Sequence, residues 1–204
     1  RMCEYNLIAG SRFCCVDENG DDLSDARIWT VSLVNELVDK EIKIGTVYKM
    51  TIKVNEYGGK NQIIINRIED VELTKEEESK FYRTAPLSLF ELKQGISDYL
   101  NRIDNPILKM VVTKLITNVS DKFFTHPAAM TMHHNYINGL VYHTYSMLKL
   151  SDAYLELYPY LNKDLVYSGI ILHDLGKLIE LSGPKGTEYT KKGNLLGHIS
   201  LGAN

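Results

Sequence analysis

No apolar run in this chain of 204 residues reaches the roughly 18 needed to cross a bilayer, so a helical membrane span is excluded. The opening residues, Arg1-Met2-Cys3-Glu4-Tyr5, have no secretory leader pattern. Cysteine occurs three times, as Cys3, Cys14 and Cys15. An odd count with two neighbours adjacent is a poor disulfide framework. It fits a reduced, cytoplasmic setting, with the cysteines as small apolar residues of strands. Positive charge is also scarce: 23 Lys and Arg against 26 Asp and Glu give a net charge of −3. No global field draws in nucleic acid, so any such attraction has to be local or supplied by a bound metal. Repeats and low-complexity segments are absent. What remains is ordinary globular composition, 44% hydrophobic and 24% charged, enough for one large domain or two small ones.

The hydrophobic pattern has two periods. Residues 12–16, 26–33, 47–54 and 62–68 are short runs rich in Val, Ile, Thr, Tyr and Trp. Turn signals separate them at 17–22, 43–45 and 57–61. Residues 32–39 could form one short helix. Four or five strands in about 70 residues predict a small barrel. Thr74 followed by Glu77 opens a charged helix or linker in the manner of a capping box. From residue 87 the period becomes helical. Leu89, Leu92, Ile96, Leu100 and Ile103 are spaced by three and four, and Ile107, Val111, Leu115 and Val119 repeat that spacing after Asn105-Pro106. Further helices are predicted over 141–157, ended by Pro159, over 164–175, and from 195 to 201.

The chemistry concentrates in this second region. Ile170-Ile171-Leu172-His173-Asp174-Leu175-Gly176-Lys177 ends an apolar run in a histidine, an aspartate and a lysine. His143 and His198 stand in apolar segments of their own. Three imidazoles buried without a shared purpose would each cost free energy. A common metal ion next to Asp174 is the simpler account, because imidazole and carboxylate suit Mn, Fe, Co and Zn. On a continuous helix His173 and Asp174 would point about 100° apart. Lys177 would share their face, where a cation suits a phosphate, or else would close a helix end. His126, His133 and His134 form a second, loop-like group, read as exposed. Alternatively, His134 lines the cleft and contacts substrate phosphate. Ser182-Gly183-Pro184-Lys185-Gly186 lacks phosphate-loop spacing and reads as a turn.

These residues carry a resemblance. His133-His134-Asn135, Gly139-Leu140-Val141-Tyr142-His143-Thr144, Leu172-His173-Asp174-Leu175-Gly176-Lys177, Glu180-Leu181-Ser182-Gly183-Pro184 and Leu195-Leu196-Gly197-His198-Ile199 resemble the HD superfamily of metal-dependent phosphohydrolases. The resemblance is nearest to its YhaM-type 3′-to-5′ exoribonucleases. It implies a multidomain fold: an OB-like all-β barrel over 1–73 that binds nucleic acid, a linker over 74–86, and an all-α HD domain over 87–204. It implies that metal-activated water hydrolyses RNA phosphodiesters and releases nucleoside monophosphates. The metal ligands would be His143, His173, Asp174 and His198, holding one or two Mn²⁺ or Co²⁺ ions, with Asp174, Lys177 and His134 as catalytic residues. Two ions would lie about 3.5–4 Å apart. HD enzymes complete the site with a later aspartate, so a chain that ends at Asn204 is expected to hold an HD domain incomplete at its C-terminus, and to be inactive if nothing follows.

Single-stranded RNA is the implied partner, with DNA as a second candidate, no membrane, and room for an oligomer. For the barrel, Arg27, Trp29, Lys53 and Lys60 are the candidates to grip and stack a strand. Against this, residues 1–73 carry nine basic and thirteen acidic side chains. Two other classes stay open: an HD-type nucleotide phosphohydrolase, and a non-catalytic single-strand-binding fragment.

Overall fold

A computed structural model of the chain describes residues 11–16, 22–40, 42, 45–131 and 133–203. Cys3 and the turn at 17–21 lie outside the described residues. The chain divides into two compact units, Arg1–Arg83 and Thr84–Asn204. Among the described residues no helix is long and apolar enough to cross a membrane.

In the first unit the strands are β1 (Ser11–Val16), β2 (Asp22–Ile28), β3 (Tyr48–Tyr57) and β4 (Lys60–Asp70), and helix α1 (Val31–Asp39) follows β2. They form a four-stranded sheet in the order β1-β2-β4-β3. β1/β2 and β3/β4 pair antiparallel, and β2/β4 pair parallel through Arg27 and Ile64. Gly58 and Gly59, both at positive φ, make the two-residue turn joining β3 to β4. A tight hairpin needs that backbone, and glycine adopts it without steric cost. Leu33, Val34 and Leu37 of α1 pack with Ala26, Ile28, Ile65 and Ile68 into one core.

The expected fold class does not hold. An OB-like barrel requires the sheet to close on itself, but among the described residues β1 and β3 each pair on one side only, so the sheet is open. The run read as one strand over 26–33 breaks at Trp29-Thr30. Beyond it, Leu33, Val34 and Leu37 recur at helical spacing, and packing decides for helix. Nor is the rest purely α, since isolated bridges join Thr84 to Ile137 and Leu181 to Tyr189. Among the described residues helix predominates.

After the short helix α2 (Lys75–Ser79), the second unit holds α3 (Leu89–Asn101), α4 (Pro106–Asn118), α5 (Ser120–Phe123), α6 (Gly139–Leu157), α7 (Lys163–Leu172), α8 (Lys177–Glu180) and α9 (Lys191–Gly202). Thr74 with Glu77 and Ser88 with Glu91 form capping boxes at α2 and α3. Asn105 caps α4, with Pro106 in its first turn, where a missing N–H costs nothing. Leu92, Ile96, Tyr99, Val112, Ile116, Leu140, Leu148, Tyr167 and Ile171 build the core between α3, α4, α6 and α7. α3 and α6 approach closely at Gly95, where a Cβ would strike the Tyr145 ring.

Candidate metal centre

Three segments bring the site together. His143 stands in the second turn of α6. α6 starts from Asn138 in the left-handed region, with the Asn138 N–H on the Thr125 carbonyl. His173 and Asp174 lie just beyond α7. The predicted helix over 164–175 ends at Leu172, residues 173–176 turn, and α8 begins at Lys177. The ligand pair is therefore presented by a turn, not by a continuous helix face. His198 comes from α9, which Gly197 kinks with a φ of 69°.

Asp174 is the hub, and it is 5% exposed. Its Oδ2 lies 2.8 Å from Lys177 Nζ, 3.2 Å from His173 Nε2 and 3.6 Å from His143 Nε2. Its Oδ1 lies 3.6 Å from His198 Nε2. One ligand atom each from His143, His173 and Asp174 fall within 4.8 Å of one another, so this cluster can hold a metal ion. The donor set, nitrogen plus carboxylate oxygen, suits borderline divalent ions. His173 Nδ1 is 2.7 Å from the Ile170 carbonyl, to which it donates. That bond fixes the ring and leaves Nε2 to face Asp174.

The electrostatics follow from this crowding. Burial works against the Asp174 carboxylate, yet His173 and Lys177 together hold it well below the ordinary aspartate range. Burial pushes His143 down to about 4, so it is neutral at pH 7, the form that ligates metal. His173 moves the other way, raised chiefly by its bond to Asp174.

The expectation of three imidazoles sunk in apolar surroundings is corrected. The side chains of His173 and His198 are each 33% exposed, and Leu195, Leu196 and Ile199 around His198 face solvent. What distinguishes these histidines is that they converge. Lys177 does not project freely; its ammonium pairs with Asp174 at 2.8 Å.

His134 is half-buried at a positive φ, its ring 5.6 Å from that of His143 and its Nδ1 2.6 Å from the Tyr136 hydroxyl. Burial, with His133 and Lys177 nearby, lowers its pKa. His133 is exposed, 5.5 Å from His143 between ring centres. His126 is buried rather than exposed, with Nε2 3.3 Å from the Leu181 carbonyl, and takes no part in the cluster.

Sequence reasoning gave no role to Glu180. It is buried, and both its carboxylate oxygens lie 3.1 Å from His198 Nδ1. The signal was an acidic residue inside Leu178-Ile179-Glu180-Leu181, an otherwise apolar stretch. In the first unit, Arg27 lies over Trp29 at 5.9 Å, Trp29 is half exposed and Lys53 is exposed. The Lys60 side chain lies outside the described residues.

No family model matches the sequence, and no solved structure matches it. The chain is similar to a curated protein described as 3′-5′ exoribonuclease YhaM, from Geobacillus sp. (strain WCH70). The two are 40% identical over 189 residues, which covers 91% of this chain and 56% of that protein. The chain thus spans little more than half the length of that relative. Across nine-tenths of its length this chain is similar to that YhaM protein, a likeness that supports a YhaM-type relationship.

Proposed function

We propose that this chain carries the divalent-metal centre of a hydrolase that shortens single-stranded RNA from its 3′ end and releases nucleoside monophosphates. The observation that carries this reading is the convergence of His143 of α6 with His173 and Asp174 of the turn after α7, within 4.8 Å. The substrate class comes from the relative described as an exoribonuclease. When bound, a divalent ion makes a nucleophile of water near neutral pH and offsets negative charge on the phosphate.

The chain's own residues do the rest. His143, His173 and Asp174 hold the ion, and His198 adds a ligand to it or to a second one. Mn²⁺ or Co²⁺ is assigned because nitrogen-rich ligation suits them better than Mg²⁺. Lys177 neutralises Asp174 and offers its ammonium to a substrate phosphate. His134 Nδ1 is hydrogen-bonded to the Tyr136 hydroxyl; with the hydroxyl as donor, the ring proton lies on Nε2, where it can bind a phosphate oxygen. In the first unit, exposed Trp29 offers a face for base stacking, with Arg27, Lys53 and Lys60 as cations.

The test uses a 5′-labelled single strand with and without Mn²⁺. A ladder of products shortened one nucleotide at a time, abolished by chelator, is expected. His173→Ala and Asp174→Ala should each lower the rate by about 100-fold or more. Phosphate release from mononucleotides without shortening of the strand would favour the nucleotide phosphohydrolase reading. Unchanged rates in both variants would overturn the metal assignment.

A further inference from the structure

α9 bends just before the histidine that faces Asp174. Gly197, at φ 69° and ψ 161°, interrupts the helical backbone, so the His198 N–H does not continue the helical ladder. That N–H donates instead to Glu180 Oε1 at 3.0 Å. The same carboxylate sits 3.1 Å from His198 Nδ1 through either oxygen. A single side chain thus engages both the backbone and the ring of one residue, 18 positions away.

Glu180 is itself held in place. Its backbone carbonyl accepts the Thr190 N–H at 2.9 Å, and the Ile179 carbonyl accepts the Thr190 hydroxyl at 2.8 Å. Gly193 of α9 lies so close that a Cβ there would collide with the Glu180 backbone. Thr190 and Gly193 therefore fix the Glu180 backbone from which the carboxylate projects.

The ring chemistry follows. A carboxylate at Nδ1 accepts a hydrogen bond from Nδ1–H, which makes Nε2 the lone-pair nitrogen in the neutral ring. Nε2 then points at Asp174 Oδ1 across 3.6 Å, an acceptor facing an acceptor. Two acceptors so disposed are reconciled by a cation near both, or by protonation of the ring.

We propose that Glu180 is the positioning residue of the metal centre: its carboxylate sets the tautomer and orientation of His198, so that Nε2 serves as a metal ligand beside Asp174. This rests on the metal-centre reading of the proposed function and adds a residue to it. Glu180 acts through His198 and need not touch substrate.

The test has two independent readouts on the full chain. The first is the His198 ring tautomer, read by ¹⁵N NMR on protein without metal. Wild type should carry the proton on Nδ1, and Glu180→Gln should lose that preference. The second is Mn²⁺ affinity by calorimetry, expected to fall about 10- to 100-fold in Glu180→Gln. A double-mutant cycle separates positioning from mere structure: on a His198→Ala background, Glu180→Gln should change Mn²⁺ affinity by less than about twofold. Should Glu180→Gln fail to fold, Glu180→Asp, which withdraws the charge by one methylene, carries the same expectations.

Wild-type affinity together with an unchanged tautomer would overturn the proposal, and so would a full loss that persists without His198. If His173→Ala and Asp174→Ala also bind Mn²⁺ as wild type does, the metal-centre reading fails. The tautomer then still decides whether Glu180 orients His198.

Discussion

Asp174 and Lys177 depend on each other. The carboxylate is almost fully buried and the lysine whose ammonium lies 2.8 Å away has a side chain only 12% exposed, so removing either leaves a charge with little water to stabilise it. Asp174→Ala should therefore cost stability as well as metal, by about 3 kcal/mol in urea unfolding without metal. Asp174→Ala/Lys177→Ala should be less destabilised than the sum of the single variants, because the orphaned cation goes too. An additive double variant would mean that the pair is not coupled. Gly176 gives a second residue-scale prediction. A Cβ there would overlap the His198 carbonyl and lie 2.7 Å from the Gly202 nitrogen. Gly176→Ala must push α9 away and carry His198 with it. The expected result is a loss of about 1–3 kcal/mol of stability and at least about tenfold weaker Mn²⁺ binding by calorimetry. At this scale the sequence was partly legible. His143, His173 and Asp174 stood out by residue type, and the structure does bring them together. Glu180 and the packing role of Gly176 did not stand out. A carboxylate's partner 18 positions away, and a backbone's close neighbour, leave no local pattern.

At the scale of elements, α3, α6 and α7 are tied by a polar knot. Arg102, just past α3, grips Asp152 with two nitrogens at 2.8 and 3.1 Å. The Tyr99 and Tyr167 hydroxyls donate to the same carboxylate at 2.7 and 2.8 Å. Burial first, then the bond to Asp152, pushes both phenols up to about 12. Their unfolded value is about 10. A group whose folded pKa is raised gives its full stabilisation below the unfolded value and loses it as pH climbs to the folded one. Unfolding free energy should therefore fall steeply between about pH 10 and 12, measured by urea melts. Tyr99→Phe/Tyr167→Phe should flatten that fall, and an identical slope would refute the assignment. Element types were mostly legible from periodicity, but their faces and ends were not. α4 is visible by the stripe Ile107, Val111, Leu115, yet that stripe is exposed, and its neighbour Val112, Ile116 enters the core. Two overlapping apolar stripes satisfy the same period, and only packing partners choose between them. The end of α7 at Leu172 was hidden for a similar reason. Gly176 reads as a helix terminator, but residues 173–175 contain no glycine or proline that would end the helix as early as Leu172.

For the chain as a whole, charge sets how it meets RNA on the proposed function. The net charge is −3, and residues 1–73 are more acidic than basic. That balance gives no global field to draw in a strand, so attraction has to be local. On the proposed function, contact with phosphates rests on a few cations, Lys177 at the metal centre and Arg27, Lys53 and Lys60 in the first unit. For single strands, log affinity falls with log salt by about 0.7 for each phosphate neutralised. About three or four such contacts predict a slope near −2 to −3, measured by fluorescence anisotropy in chelator between about 50 and 300 mM KCl. Stacking on Trp29 is indifferent to salt, so Trp29→Ala should weaken binding about equally at every salt concentration and leave the slope alone. Lys53→Ala should reduce the slope by about 0.7. A slope steeper than about −4 would require more cations than these four residues provide. It would show that RNA reaches this chain by a surface other than the one its residues suggest.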